Sequence, residues 1–392
     1  MKQASVLLAS MVAAMFVVCG ALLAQAQPSK AVGPPDRYIV VLKEGASDPG
    51  RAANGMARRY GLGVGFVYSH ALKGFSAVIP NERVAAVRAD EQVDYVEPDK
   101  TYAVAQTLPW GIDRVNADTS STVAGNESGA VSNVRAYVID TGIDRYHPDL
   151  NVESHHDFTG GSKNYDCNGH GTHVAGTLAA RDNARVVVGV APGAPLVGVK
   201  VLNCNGGGSS GTIIAGIDWV TEHANKPAVA NVSISGPAST SLDAAVRNSA
   251  ASGILYSVAA GNNGQPACNY SPARAGRTRT PNGTWKKNNG IVTTAATKDN
   301  NGETWDSNYG SCVDLWAPGA NILSTKLGGG TITKSGTSMA SPHVGGGGAL
   351  YLHSHTSAGP SSVEKALKDA ARRPGTHSKD DNPIRLENVN TF

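Results

Sequence analysis

Residues 134–144 read "VRAYVIDTGID". The first half is a near-continuous apolar run, not an alternating one, which is how a strand covered on both faces of a parallel sheet reads. Four more runs share that texture: "LVGVKVL" (196–202), "VANVSIS" (229–235), "ILYSVAA" (254–260) and "GIVTTAA" (290–296). Between them lie "GHGTHVAGTLAA" (169–180), "GTIIAGIDWVTEHA" (211–224) and "SLDAAVRNSAAS" (241–252), whose lengths and apolar spacing predict helices. Strands and helices in this alternation predict a doubly wound, mostly parallel α/β sheet from about Thr107 onward. Ligands of such sheets sit beyond the carboxyl ends of the strands. Asp140 stands at that end of the first strand, before a Thr-Gly turn.

Upstream, residues 37–103 have a texture of their own. "RYIVVLK", "GFSAVIP" and "VDYVEPD" predict strands, and "RAANGMARRYGL" and "NERVAAVRAD" predict helices, giving a small α+β unit. Before it, "MKQASVLLASMVAAMFVVCGALLAQAQ" has Lys2, an apolar run and Ala24-Gln25-Ala26, the pattern of a secretory signal cleaved after Ala26. A membrane anchor is the alternative, since the run is near the lower length for a span. A small unit directly after a signal is a candidate propeptide. The expected organisation is a signal at 1–26, a propeptide at 27–105 with its core at 37–103, and a main domain at 106–392. The formal net charge of +3 is too small and too scattered to point to nucleic acid or to an anionic membrane. Once the signal is removed, Cys167, Cys204, Cys268 and Cys312 remain. An even number in an exported chain favours disulfides, and four cysteines allow three pairings. Sequential pairing would close loops worth roughly 4 kcal/mol each, as an upper figure.

Two further stretches carry chemistry. His170, in "DCNGHGTHVAGTLAA" (166–180), enters a helix between glycines, where a side chain is not packed for bulk. Ser338, in "KSGTSMASPHV" (334–344), also stands at a helix start, crowded by small residues. Each has a plain alternative: Asp140 as a turn former, Ser338 as an N-cap. Together, the order Asp, His, Ser on an α/β sheet is that of subtilisin. Asp140-Thr-Gly, His170-Gly-Thr-His and Gly336-Thr-Ser338-Met-Ala resemble the three signature blocks of the subtilisin-like serine proteases, in particular the proteinase K and aqualysin branch. "PWGIDR" (109–114), "AAGNN" (259–263) and "SPHV" (341–344) extend the likeness. The unit at 37–103 resembles the propeptide that these enzymes use as foldase and temporary inhibitor.

The resemblance implies a mechanism. A serine hydroxyl is a poor nucleophile at neutral pH, so a neutral imidazole must take its proton. His170 would do so, while Asp140 would fix its tautomer and stabilise the imidazolium. Asn262 would donate to the oxyanion, with the Ser338 backbone N–H as second donor. Substrate would lie as an added strand between Ser233-Ile234-Ser235-Gly236 and the glycines around Gly208. Ala259, Ala260 and Gly261 would complete a roomy apolar S1 slot. Ser235, where the branch often has glycine, bears on the fine specificity.

The branch also pairs its cysteines as Cys167–Cys204 and Cys268–Cys312. It implies a structural Ca2+ held by Asp314 with backbone carbonyls around Asn289 and Ile291. A surface aspartate capping a turn is the alternative for Asp314. His173, His147 and His343 are structural by the same resemblance. Zinc proteases of the usual type need His-Glu-x-x-His, which His170 and His173 do not make. The oddest departure is "HVGGGGALYL", because family members usually have alanine among Gly345 to Gly348. Each such change costs roughly 1 kcal/mol of helix propensity, which implies either tight packing or a softer enzyme.

The sequence therefore reads as a secreted, monomeric serine endopeptidase, soluble once its signal is gone and without a catalytic metal. It is made as a zymogen that cuts itself near Ala103 to Gln106, with its propeptide as intramolecular inhibitor. It acts on proteins and peptides with a broad apolar or aromatic P1 preference. An inactive peptide-binding relative is the rival reading, and the intact Asp140, His170, Ser338 and Asn262 argue against it.

Overall fold

The computed structural model describes residues 36–100, 106–277 and 288–392; the signal expected at 1–26 and most of the expected self-cutting stretch lie outside them. The chain divides into two units, Met1–Tyr102 and Ala103–Phe392.

The first unit contains β1 (Arg37–Leu42), α1 (Pro49–Tyr60), β2 (Gly63–Tyr68), β3 (Gly74–Val78), α2 (Asn81–Arg88) and β4 (Val93–Pro98). Its strands form one antiparallel sheet in the order β2-β3-β1-β4. Helix α1 begins where the Asp48 carboxylate accepts the Arg51 N–H and ends at Gly61 in the left-handed region. Val40, Leu42, Phe75 and Ala77 of the sheet pack with Ala53, Met56 and Val87 of the helices. The sequence predicts no strand at β2, because this edge strand is mostly exposed and lacks an apolar run.

The second unit contains α3 (Trp110–Arg114), β5 (Arg135–Asp140), β6 (Val152–Asp157), α4 (His170–Ala179), β7 (Leu196–Lys200), α5 (Ser210–His223), β8 (Ala228–Val232) and β9 (Gly236–Pro237). It continues with α6 (Thr240–Ala251), β10 (Leu255–Ala259), β11 (Tyr270–Ser271), β12 (Ile291–Thr297), β13 (Leu315–Pro318), β14 (Ile322–Thr325), β15 (Thr331–Lys334), α7 (Thr337–Ser354) and α8 (Pro360–Ala370). Seven strands form a parallel sheet in the order β13-β12-β10-β8-β5-β7-β6.

Both faces of this sheet are covered. Ala136 and Val138 point into a core with Val174 and Leu178 of α4 and Val344 and Leu350 of α7. Tyr137 and Ile139, their neighbours along β5, point into a second core with Ile213 and Ile217 of α5 and Leu242 and Val246 of α6. That alternation is why the strand reads as one apolar run. β5 has β7 on one side and β8 on the other, so its carboxyl end is the switch point where a ligand crevice opens. Asp140 is the last residue of β5.

Packing crowds three of the four glycines of α7. A Cβ on Gly346 would lie 2.6 Å from the Val190 Cβ and 3.1 Å from the Leu178 carbonyl, and one on Gly348 would lie 2.1 Å from Leu255. A Cβ on Gly347 would meet the buried Glu387 carboxyl at 2.4 Å. Gly345 is the least crowded of the four, with its nearest contact, the Leu178 side chain, at 3.3 Å. Disulfides join Cys167 to Cys204 and Cys268 to Cys312.

Candidate active site

Asp140 is fully buried at the end of β5. Its Oδ1 accepts the Thr141 N–H at 2.7 Å and His170 Nδ1–H at 2.7 Å. His170 is the first residue of α4, and it reaches Asp140 only because Gly171 follows it. A Cβ on Gly171 would stand 2.1 Å from the Gly142 carbonyl and 3.1 Å from Asp140. Burial pulls the His170 imidazole down, but the charge and hydrogen bond of Asp140 outweigh it, so its pKa lies above the ordinary histidine value.

The start of α4 is held by a second carboxylate. Asp166 Oδ1 accepts from the Thr141 hydroxyl and the N–H groups of Asn168 and Gly169, while Oδ2 accepts from the Thr172 N–H and hydroxyl. The Thr141 hydroxyl accepts the Gly171 N–H. Asp166 thus ties the residue after Asp140 to the turn that carries His170. Burial opposes the charge on Asp166, yet these bonds hold its pKa below the usual carboxylate value.

Ser338 is the second residue of α7, after Gly336 at φ 137°. The hydroxyl of Ser338 donates to the Ser233 carbonyl at 3.1 Å, and the Ser233 hydroxyl donates back to the Ser338 carbonyl at 2.8 Å. Among the described residues it has no bond to His170, and such bonds are often made only with substrate in place. Asn262 caps α7 from outside: its Oδ1 accepts from the Thr337 N–H and the Thr337 hydroxyl, both at 2.9 Å. Fixing Oδ1 in this way leaves the Nδ2 donor for the cleft. The loop around Asn262 is itself clamped by buried Asn308, which accepts from Asn263 and Gln265 and donates to the Ala260 carbonyl.

His170, Ser338, Asn262, Ser233, Ile234 and Ser235 line one open cleft of about 450 Å³, together with Thr141, Asn168, Leu202 and Thr337. Not every anticipated wall residue is there. Ala259 and Ala260 are buried and do not line it, nor do Gly208, Gly236 and Gly261. His173 and His343 are fully buried, each bonded to a backbone carbonyl, and burial pushes both down to about 4, so both are neutral. Asp314 is not part of the cleft; its carboxylate accepts from Lys368 and from the Thr293 N–H. Asp166, Asn308 and Thr337 are the residues that sequence reasoning missed. Only Asp166 left a trace, in the turn composition of Asp-Cys-Asn-Gly.

The Subtilase family matches residues 132–386, and the Peptidase inhibitor I9 family matches residues 37–105. The chain is 40% identical over 372 residues to an extracellular serine proteinase of Thermus sp. (strain Rt41A), covering 85% of this chain and 84% of that one. It is 38% identical over 361 residues to alkaline serine exoprotease A of Vibrio alginolyticus, covering 86% of this chain and 64% of the relative, slightly under two thirds of its length. A solved cold adapted subtilisin-like serine proteinase matches with a TM-score of 0.60 at 38% identity, over 72% of this chain and 98% of that one.

Proposed function

The chain belongs to the subtilase family of serine proteases, in its proteinase K and aqualysin-like branch, and from that premise we propose a secreted endopeptidase made as a self-processing zymogen. The observation that carries this reading is the 2.7 Å bond between His170 and Asp140 in a cleft shared with Ser338 and Asn262.

In the reaction, the Ser338 hydroxyl leaves the Ser233 carbonyl and attacks the scissile carbon, and its proton passes to His170 Nε2. Asp140 holds Nδ1–H throughout and stabilises the imidazolium. The oxyanion takes hydrogen bonds from Asn262 Nδ2 and from the Ser338 N–H, an orphan donor of the first turn of α7. Collapse expels the amine, which takes the proton from His170; water then repeats the sequence on the acyl-serine. Among the described residues, the cleft walls carry no charged side chain besides His170. That is compatible with a broad specificity; the proposed preference for apolar or aromatic P1 residues rests on the family resemblance.

The proposed boundaries are a signal at 1–26, a propeptide at 27–105 that inhibits in cis, and a catalytic domain at 106–392, active as a monomer. Relatives named as extracellular proteinase and exoprotease support secretion. Among the described residues, no helix is long and apolar enough to cross a membrane.

The test is the N-terminus of the exported protein, produced in a host without extracellular proteases. The wild type should begin within a few residues of Gln106, and Ser338→Ala should keep residues 27–103 attached. Identical trimming of both chains would overturn self-processing.

The pH profile gives a second check. The general base must be neutral, and a raised His170 pKa keeps it protonated to higher pH. The acid limb of kcat/KM should therefore lie above the ordinary histidine value of about 6.5. Asp140→Asn should move that limb down while lowering the plateau; an unmoved limb contradicts His170 as the base.

A further inference from the structure

Three charged side chains meet where β12, β13 and α8 come together. Asp314, the residue before β13, accepts Lys368 Nζ at 2.8 Å with Oδ1 and the Thr293 N–H at 3.0 Å with Oδ2. Glu364, one turn before Lys368 on α8, accepts the same ammonium at 2.9 Å with Oε1. Its Oε2 accepts the N–H groups of Asn289 at 2.7 Å and Gly290 at 2.8 Å. These are not surface pairs: the side-chain exposure is 16% for Lys368, 18% for Asp314 and 1% for Glu364.

This is the place to which the family resemblance assigns a calcium, and the residues do not fit one. Calcium takes about six to eight oxygens at close range. The Ile291 carbonyl and Asp314 Oδ2 each lie 3.3 Å from one point above Gly276, but Asp314 Oδ1 already holds an ammonium, and Glu364, the other carboxylate, takes the same ammonium and the N–H groups of Asn289 and Gly290. A divalent ion against Asp314 would also stand beside an ammonium, where like charges repel.

We propose that the Lys368 ammonium is itself the structural cation of this site, clamping the 289–293 segment, β13 and α8 together without a metal. Its three N–H donors suit two carboxylates on different elements. The i,i+4 spacing with Glu364 holds it in reach of both. Burial pulls Lys368 down, but Asp314 and Glu364 outweigh it and hold its pKa above the ordinary lysine value; burial pushes both carboxyls up despite Lys368, with the Asp314 charge adding to the effect at Glu364. Arg385 donates to the Lys368 carbonyl, adding positive charge nearby. The same C-terminal segment repeats the device. Lys379 Nζ lies 2.6 Å from the Trp305 carbonyl, 3.3 Å from the Ser307 carbonyl and 3.2 Å from the Glu303 carboxylate.

The test is independent of catalysis and uses the full chain carrying Ser338→Ala, so that no variant can digest itself. Calcium bound at equilibrium dialysis and the melting temperature are measured for this parent and for added Asp314→Asn or Lys368→Met. The parent and Asp314→Asn should bind the same number of calcium ions. In chelator, Lys368→Met should melt several degrees lower than the parent, because it leaves two buried carboxylates without their cation. Loss of one bound calcium per chain in Asp314→Asn overturns the proposal. So does a Lys368→Met chain that melts with the parent in chelator. If Asp314→Asn fails to fold, the Lys368→Met melting temperature decides alone.

Discussion

Ser338→Ala should lower kcat by about 10⁶-fold, the scale of triad loss in subtilisin, which corresponds to roughly 8 kcal/mol of transition-state stabilisation. The size follows from what the hydroxyl does. Without it there is no acyl-serine, and the polarisation of His170 by Asp140 has no proton to accept. The oxyanion donors and the substrate groove remain, so a residual rate above that in water, by about 10³- to 10⁴-fold, should persist. KM should change little, because the Ser338 hydroxyl leaves the Ser233 carbonyl only for the transition state. The measurement is steady-state hydrolysis of a peptide amide by Ser338→Ala whose propeptide has been removed by another protease. A loss below 100-fold would mean that another group is the nucleophile.

Asn262→Ala should lower kcat by about 10²- to 10³-fold, or 2.7 to 4 kcal/mol, again with KM nearly unchanged. Asn262 uses its two ends differently. Oδ1 is committed to the Thr337 N–H and hydroxyl, so Nδ2 is the end that meets the charge developing on the substrate. Asn262→Asp separates these roles: it keeps the acceptor for Thr337 and replaces the donor by a second carboxylate oxygen. It should therefore fold like the wild type and fall at least as far in kcat. An Asp variant with nearly full activity would show that Asn262 only caps α7.

The inner sheet was legible because its physical signature is strong. β7, β8, β10 and β12 are buried along their whole length, and burial on both faces leaves unbroken apolar runs. β6, "VESHHD", lies at the sheet edge with Glu153 paired to Arg135, so nothing in its composition marks a strand. β13 has four residues, too few for a pattern. The proposed triad was legible because Asp140-Thr-Gly, His170-Gly-Thr-His and Gly336-Thr-Ser338-Met-Ala resemble the signature blocks of a known family. Asp166 and Asn308 were not, since they act by gathering backbone N–H groups from loops whose closeness only the fold creates. Lys368 shows the converse. Glu364 and Lys368 at i,i+4 read as an ordinary solvated helix face, and no sequence feature says that this face turns inward onto Asp314.

One reaction tests most directly whether Asp140, His170 and Ser338 act as a unit. The mature protein, treated with a stoichiometric serine-directed sulfonyl fluoride, should gain a single adduct on Ser338, with activity lost in proportion. His170→Ala should react far more slowly under the same conditions. A folded, active protein that gains no adduct, or gains it on a residue other than Ser338, would contradict the assignment.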